Sequence, residues 1–425
     1  MIGIVGPSGR NFHPWKSGIF SASEVSRLAA TGDNYVMPAG WETERLVAEV
    51  RGLAVRGLPR DEYYRELAAR LRRTIAIDAT CWHGVDPRTL LLTTASPEEL
   101  LQRGFLSAET LLPAAQAFWA CEYEREDYNT FAALARRRAP VGILSEATRG
   151  RPQRSPRYRE FLAPHGTPFE MRTAFVMRGR VWGCVVFHRS EATGDFQPVD
   201  ARLMARLSGS IAEGLRTCLR LDAARRPDEE SAPGMVVLGP RNEVELITAP
   251  AQRLLEPLHA DSTPRATSVP VPILTLAATA RRQRLSTLGD TSVALNVPSS
   301  GGWLSLHASL PDGTKSQRVA IVIQPASPER VAPLRLEMYG LSAREREIAA
   351  LVAAGLSTKA LADRLFLSPW TVQDHLKSIF EKTGTHSRRE LRARIFFEEF
   401  LPGIDARAPL AANGALTSHT THAAT

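Results

Sequence analysis

The sequence predicts an α+β multidomain chain that ends in an all-α four-helix bundle. Three observations point there. Runs of period-two apolar alternation occur in two blocks, residues 60–222 and 234–325, each interleaved with helical periodicity. Between the blocks, Ala223 to Pro233 (AARRPDEESAP) has the composition of a linker. From residue 334 to 402 the alternation stops, and helix-start signals follow one another at short intervals. A chain of 425 residues has room for about two to four domains.

The N-terminal segment, residues 1–59, reads as helical or poorly ordered, and its first ~20 residues are rich in glycine and proline. Gly3 to Gly9 brushes against a phosphate-loop composition, but no Gly-Lys-Ser/Thr follows. Helical patterns then cover Glu42 to Val55 and Asp61 to Ile75. Ala79 to His83 and Leu90 to Thr94 read as a strand pair around Val85-Asp86-Pro87-Arg88, before a mostly helical stretch from Pro97 to Ala135. Phe169 to Met177 and Val181 to Arg189 form a hairpin about Arg178-Gly179-Arg180, and a long helix runs from Val199 to about Leu221. Its Leu203, Leu207, Ile211, Leu215 and Leu219 recur every fourth residue, as a core stripe or as a partly shared dimer seam.

In the second block, Gly234 to Leu238 and Glu243 to Ile247 make a hairpin about Gly239-Pro240-Arg241-Asn242. Helices Ala249 to Leu258 and Val271 to Leu285 follow. Strands Val293 to Val297, Gly302 to Leu310 and Arg318 to Gln324 close the block, with Pro311-Asp312-Gly313 as a turn. Ala326 to Pro333 is expected to be a linker. Residues 403–425, rich in alanine and threonine, lack an apolar pattern and read as a disordered tail.

The C-terminal block is the most informative: LSAREREIAALVAAGLSTKALADRLFLSPWTVQDHLKSIFEKTGTHSRREL, residues 341–391. Ser342 with Glu345 has capping-box spacing, and Ser387 with Glu390 repeats it. Gly355 stops the first helix and Ser357 caps the second, where Ala360, Leu361 and Leu365 face inward. Ser368-Pro369 opens the third helix, because proline at the first helical position loses no needed N–H. Val372, Leu376, Ile379 and Phe380 bury one side of that helix. Trp370, Gln373, Asp374 and Lys377 are left on the other. A capped bundle with a solvated polar face shows the same periodicity, so residue identities have to decide.

Those identities closely resemble the LuxR-type DNA-binding domain. Matches to its pattern include Leu341, Arg344, Glu345, Glu347, Gly355, Ser357, Ala362, Leu365, Ser368, Thr371, Val372, His375, Ile379 and Lys382. Two departures stand out: Leu361 after Ala360, where the family usually has an acidic residue, and Gln373, where it commonly has lysine after Thr-Val. The resemblance implies a third helix that enters the major groove of double-stranded DNA. Gln373, Asp374 and Lys377 are then expected at base edges, since glutamine can pair with adenine, aspartate can accept from cytosine and lysine can donate to guanine. Lys359, Thr371, His375, Lys382 and Arg388 are expected at phosphates. Asp374 has an alternative role, holding Lys377 by an i, i+3 pair. Leu391, Ile395, Phe396 and Phe400 give the fourth helix a face for packing and for a homodimer on DNA.

Charge supports this by placement rather than by amount. The chain carries +8 overall, but residues 334–402 hold 11 Arg/Lys against 9 Asp/Glu. Five of the 53 basic residues are lysine, and three of those, Lys359, Lys377 and Lys382, lie in the helix-turn-helix. Upstream, CEYEREDYNTFAALA, SEATRGRPQRSPRYREFLAPHGTPFEMR and GRVWGCVVFHR resemble the N-terminal GAF-like sensors fused to LuxR-type domains in actinobacterial regulators. Residues 234–325 resemble a PAS domain by strand order and by the string GMVVLGPRNEVELITAPAQRLL.

The resemblances imply a transcriptional regulator rather than an enzyme, with double-stranded DNA as partner, an unknown small-molecule effector and RNA polymerase as further candidates, and no cofactor. The alternative is a sensor-domain signalling protein or enzyme whose helical end is a protein-interaction module. Against the enzyme, no Gly-rich nucleotide loop, H-E-x-x-H or G-x-S-x-G occurs. No apolar run approaches the roughly 18 residues of a membrane span, and MIGIVGPSGR lacks a basic n-region, so a cytoplasmic location is expected. Cys81, Cys121, Cys184 and Cys218 stand apart without C-x-x-C, as free thiols would. A redox or metal site from Cys81, Cys184, His83 and His188 is the alternative. The run Arg136-Arg137-Arg138 with Arg149, Arg151, Arg154, Arg157 and Arg159 reads as solvated surface, with anion binding as its rival.

Overall fold

Two five-stranded antiparallel sheets and a C-terminal helical bundle make up the described part of the chain in the computed structural model, residues 41–223, 232–262, 269–286, 293–299, 302–310 and 317–399. The described residues from Arg45 onward form one compact unit, and the expectations for residues 1–40 lie outside the described residues. The elements are α1 (Trp41–Ala54), α2 (Arg60–Leu71), β1 (Ala79–Val85), β2 (Leu92–Ser96), α3 (Glu98–Gln102) and α4 (Ala108–Trp119). A π-helical turn (Ala120–Glu124), α5 (Phe131–Ala135), β3 (Val141–Ile143), α6 (Leu144–Ala147), β4 (Phe169–Met177), β5 (Arg180–Arg189) and α7 (Pro198–Ala223) complete the first sheet's surroundings. The second sheet brings β6 (Gly234–Leu238), β7 (Val244–Ile247), α8 (Ala249–Ser262), α9 (Val271–Ser286), β8 (Val293–Ser299), β9 (Gly302–Ser309) and β10 (Val319–Pro325). Last come α10 (Pro328–Met338), α11 (Ala343–Ala353), α12 (Thr358–Leu365), α13 (Pro369–Thr383) and α14 (Arg388–Glu399).

The sheets run β2-β1-β5-β4-β3 and β7-β6-β10-β9-β8. Numbered from each sheet's own first strand, both orders are 2-1-5-4-3, so one topology occurs twice. The first sheet is buried on both faces, and successive side chains feed different cores. Trp82, Val185 and Phe187 pack with α1, α2 and α7, while Cys81, Cys184 and Val186 pack with α3, α4 and α5. The stripe on α7 is core: Leu207 and Ile211 are fully buried, Leu203 and Leu215 nearly so. In the second sheet β10 alternates, with Val319, Ile321 and Ile323 inward and Val322 exposed, while β9 is buried at successive residues, Leu304 and Leu306 on one side and Trp303 on the other. Helix α9 packs on β8 and β9 and also reaches β2, α4 and the π-helical turn of the first block. Its Ile273, Leu274, Leu276 and Ala277 join both blocks into one apolar cluster.

Several expectations change. Strand β2 begins at Leu92, because Asp86 holds the loop: its carboxylate accepts from Arg88 N (3.0 Å) and Thr89 Oγ1 (2.9 Å), and Leu90 takes a left-handed φ of 63°. The hairpin turn is two residues, Arg178 (φ 52°) and Gly179 (φ 73°), the left-handed pair a tight hairpin needs. Ala326 to Pro333 is not a plain linker, since α10 starts at Pro328. Arg157 is not surface: it and Arg172 are fully buried among carboxylates. Arg157 donates to Glu170 (2.7 Å) and Asp127 (3.1 Å), and Arg172 to Glu122 (2.7 Å) and Glu170 (3.1 Å). The other arginines of that run are exposed.

All four cysteines are free and buried, and burial pushes their thiols up, Cys121 and Cys218 to about 12. A redox sensor needs thiolate, which this burial disfavours. Among the described residues no group of three His, Cys, Asp or Glu side chains is placed to hold a metal. Among the same residues no helix is long and apolar enough to cross a membrane. The turn at Pro311-Asp312-Gly313, most of the linker after Ala223 and the tail lie outside the described residues.

Candidate nucleic-acid interface

The C-terminal bundle has its own core: Leu341, Ile348, Ala349, Val352, Leu361, Ala362, Leu365, Val372, Leu376, Ile379 and Leu391. Ala362 takes the inward place expected of Ala360, which is only half-buried. The side chains of Ile395, Phe396 and Phe400 lie outside the described residues. Ser342 accepts from Glu345 N (3.2 Å), and Glu345 Oε2 accepts in return from Ser342 N (2.6 Å), which closes the first capping box. At the fourth helix the box is incomplete. Ser387 Oγ accepts from Glu390 N (3.1 Å), but the Glu390 carboxylate accepts from His386 N (2.7 Å) instead of Ser387 N.

Between α12 and α13 the turn is three residues long. Phe366 adopts a left-handed φ of 54° and Leu367 N donates back to Ala362 O at 3.0 Å. Ser368 then caps α13 by accepting from Thr371 N (3.0 Å), with Pro369 at the first helical position. That turn fixes the helix so that Val372, Leu376 and Ile379 face the core. Gln373, Asp374 and Lys377 are exposed on the opposite side. Trp370 (79 % exposed) and Phe366 (94 %) flank them. Asp374 and Lys377 do not pair with each other, nor with any other described residue. The positioning role considered for Asp374 is therefore not seen. Gln373 Nε2 makes one long contact to Thr358 Oγ1 (3.4 Å).

Residues expected at phosphates fall into two groups. Lys359 is exposed, and Thr371 and His375 are half-buried. Arg388 and Lys382 are already engaged. Arg388 donates to Leu356 O and Thr358 Oγ1, both at 2.8 Å, and so ties the start of α14 to the start of α12. The Lys382 ammonium contacts both carboxylate oxygens of Glu345, to Oε2 at 2.7 Å, while Ser378 Oγ donates to Oε1 at 2.6 Å. Burial alone would raise the Glu345 carboxyl. The bonds from Lys382, Ser378 and Ser342 outweigh it and hold the group down to about 2.

Two structural roles were not anticipated from the sequence. Arg344 Nη2 donates to Leu365 O at 2.6 Å, tying α11 to the C-terminal end of α12. Helix α10 joins the bundle to the first sheet: Leu336 and Tyr339 pack on the bundle core, while Val331, Leu334 and Met338 pack with α7. Arg216 on α7 donates to Met338 O, and Arg180 on β5 donates to Glu337 at 2.9 Å.

The profile described as "Bacterial regulatory proteins, luxR family" matches residues 340–394, the bundle just described. This segment is a LuxR-type helix-turn-helix domain. Over 63 residues the chain is 49% identical to a putative HTH-type transcriptional regulator of Mycobacterium tuberculosis, 15% of this chain and 7% of that protein. It is 46% identical over 54 residues to the monoamine regulon transcriptional regulator of Klebsiella aerogenes, covering 13% of this chain and 24% of the relative. The likeness to the probable transcriptional regulatory protein NarL of M. tuberculosis is 44% over 48 residues, 11% and 22% of the two chains. The LuxR-type match is thus confined to a small part of each curated relative. Among solved structures, the crystal structure of the phage VqmA-DPO complex aligns with a TM-score of 0.20 and 16% identity, over 40% of this chain and 82% of that one. A score that low carries no argument about fold or ligand.

Proposed function

We propose that the chain is a sequence-specific DNA-binding transcriptional regulator whose output domain answers to a signal sensed by the two sheet blocks. The carrying observation is the solvent-facing set Gln373, Asp374 and Lys377 on a helix whose other side is the bundle core. In this reading α13 lies in the major groove with those three side chains at base edges. Lys359, Thr371 and His375 meet phosphates, and Arg388 does so with the guanidinium face its two bonds leave open. Lys382 serves chiefly as the clamp on Glu345 and contributes to phosphate binding only through field.

Two blocks with one strand order support reading both as sensor modules, the first GAF-like over 60–222 and the second PAS-like over 234–325. The helix-turn-helix segment would then span 334–402. A homodimer on DNA, a cytoplasmic setting and contact with RNA polymerase belong to the same proposal.

The test is selection of bound duplexes from random DNA by the full chain, followed by the variants Lys377→Ala and Lys359→Ala on selected and scrambled sites. Lys377→Ala should cost about 1–3 kcal/mol on the selected site and little on the scrambled one. Lys359→Ala should weaken both alike and lower the salt slope by about one. Equal losses on the two duplexes for Lys377→Ala would remove the base-reading role.

A further inference from the structure

On the α4 side of the first sheet lies a cavity of about 70 Å³. The space exceeds what one enclosed water needs. Its walls are mainly apolar, with Leu100, Leu111, Phe118, Phe161 and Val186 from the first block. Val271 and Leu274 of α9, from the second block, close it. The polar lining is His83 and the Cys81 thiol on β1, Glu170 on β4, His188 on β5 and Trp119 on α4, whose indole N–H is buried without a partner.

Both histidines are buried, at 2 % and 1 % exposure. Neither ring nitrogen of His83 has a hydrogen-bond partner, and Nδ1 of His188 lacks one as well. The Thr94 backbone lies close enough to favour a protonated His83 ring, without a hydrogen bond of acceptable geometry. Burial, reinforced by Arg172, holds His83 down to about 3. Burial also dominates at His188, held at about 4 despite the neighbouring Glu170. Both rings are therefore neutral near pH 7, each with one N–H donor and one bare nitrogen. Buried polar atoms left unpaired are costly and rare, and a site aimed at them regains that cost.

Charge narrows what can enter. Asp127, Glu122 and Glu170 face Arg157 and Arg172 behind the cavity, three carboxyl groups to two guanidinium groups. No surplus positive charge is left to neutralise a buried anion. His83 stacks on Phe118 with ring centroids 5.1 Å apart and planes at 12°, which leaves a flat, fixed edge beside the void.

We propose that this cavity binds a small neutral molecule, a single ring bearing one or two hydrogen-bonding groups, held by His83 and His188 and closed over by α9. It gives chemical content to the proposed sensing role, and because binding is measured without DNA, its failure is distinct from failure of the DNA-binding reading. Occupancy would act where the two blocks share a core, at the contact of α9 with β2 and α4.

The probes are phenol, toluene and benzoate, titrated into the full chain by calorimetry while the imidazole nitrogens of His83 and His188 are followed by NMR. Phenol is expected to saturate, to move both histidine signals and to bind about tenfold tighter than toluene, the worth of one neutral hydrogen bond. Benzoate should bind weakest. Leu274→Trp and, as a second filling variant from α4, Ala114→Leu should lose phenol while keeping the wild-type melting transition. The histidine shifts in the wild type decide the matter if both variants unfold. No saturable phenol binding, histidine signals that do not move, toluene as tight as phenol, benzoate tightest, or a folded filling variant that still binds would each overturn the proposal.

Discussion

Replacing Glu345 by glutamine isolates the charge at the centre of the helix-turn-helix clamp. Glutamine has one acceptor oxygen: set at the Oε2 place it keeps the bond from Ser342 N, and its amide nitrogen then faces the Ser378 hydroxyl, which can turn to accept, so the cap survives and the pairing with Lys382 is lost. In the folded chain the Glu345 carboxyl lies at about 2 against 4.5 unperturbed. At about 1.4 kcal/mol for each tenfold change, that difference is worth about 3 kcal/mol. The Lys382 side chain is 28% exposed and Glu345 6%, so solvent screening trims this only in part.

The folded value is below the unfolded one. The stabilisation is therefore complete above about pH 4.5 and disappears as pH falls through about 2. Urea-titrated hydrogen exchange on peptides from residues 341–391, in the full chain, reads the local stability. Wild type minus Glu345→Gln should be about 2–3 kcal/mol at pH 7 and shrink toward zero by pH 2. A difference independent of pH over that interval, or a variant no less stable than wild type, would refute the clamp.

Phe366→Gly should leave the bundle as stable or stabilise it by up to about 1 kcal/mol, because a left-handed φ is costly for phenylalanine and its ring is 94 % exposed. Chemical denaturation checks this, and a large loss of stability would contradict the exposure. Gly214→Ala on α7 should destabilise the first block by about 1–3 kcal/mol, since a Cβ there would stand 2.1 Å from Tyr63 Oη. An unchanged melting temperature would mean that Tyr63 moves freely. Glu170→Ala should cost about 3–5 kcal/mol, because it leaves Arg157 and Arg172 buried with one carboxylate partner fewer each. A thermal melt within a degree or two of wild type would show water reaching the site.

The C-terminal segment was legible because its signals are local. Ser342, Ser357 and Ser368 cap helices within three residues of themselves, and the apolar spacing of Val372, Leu376 and Ile379 names the inner face of α13 directly. What stayed hidden depends on residues far apart in the chain. Lys382 looks like any helix-end cation until Glu345, 37 positions earlier, is seen beneath it. Arg157 sits in a run of arginines and differs from them only through Asp127 and Glu170. Strand β3 has three residues, too few for alternation to register. Helix α10 begins at a proline in a polar stretch that composition alone reads as linker.

That misread helix bears most on how a signal could reach DNA. Val331, Leu334 and Met338 share a core with Ile211 and Leu215 of α7, and Leu336 and Tyr339 lie against the bundle core. Trp303 of β9 belongs to the same core as Val331, and its carbonyl accepts from Ala326 N at 2.8 Å. One helix, with the residue leading into it, is therefore gripped by the first block, the second block and the output domain. An effector can change DNA affinity only if it favours one arrangement of these parts over another. A void closed by α9 and a helix gripped on three sides supply two elements whose packing such a preference could alter. Uncoupling them, for instance by Arg216→Ala at the Met338 carbonyl, should leave ligand binding intact and reduce its effect on DNA affinity.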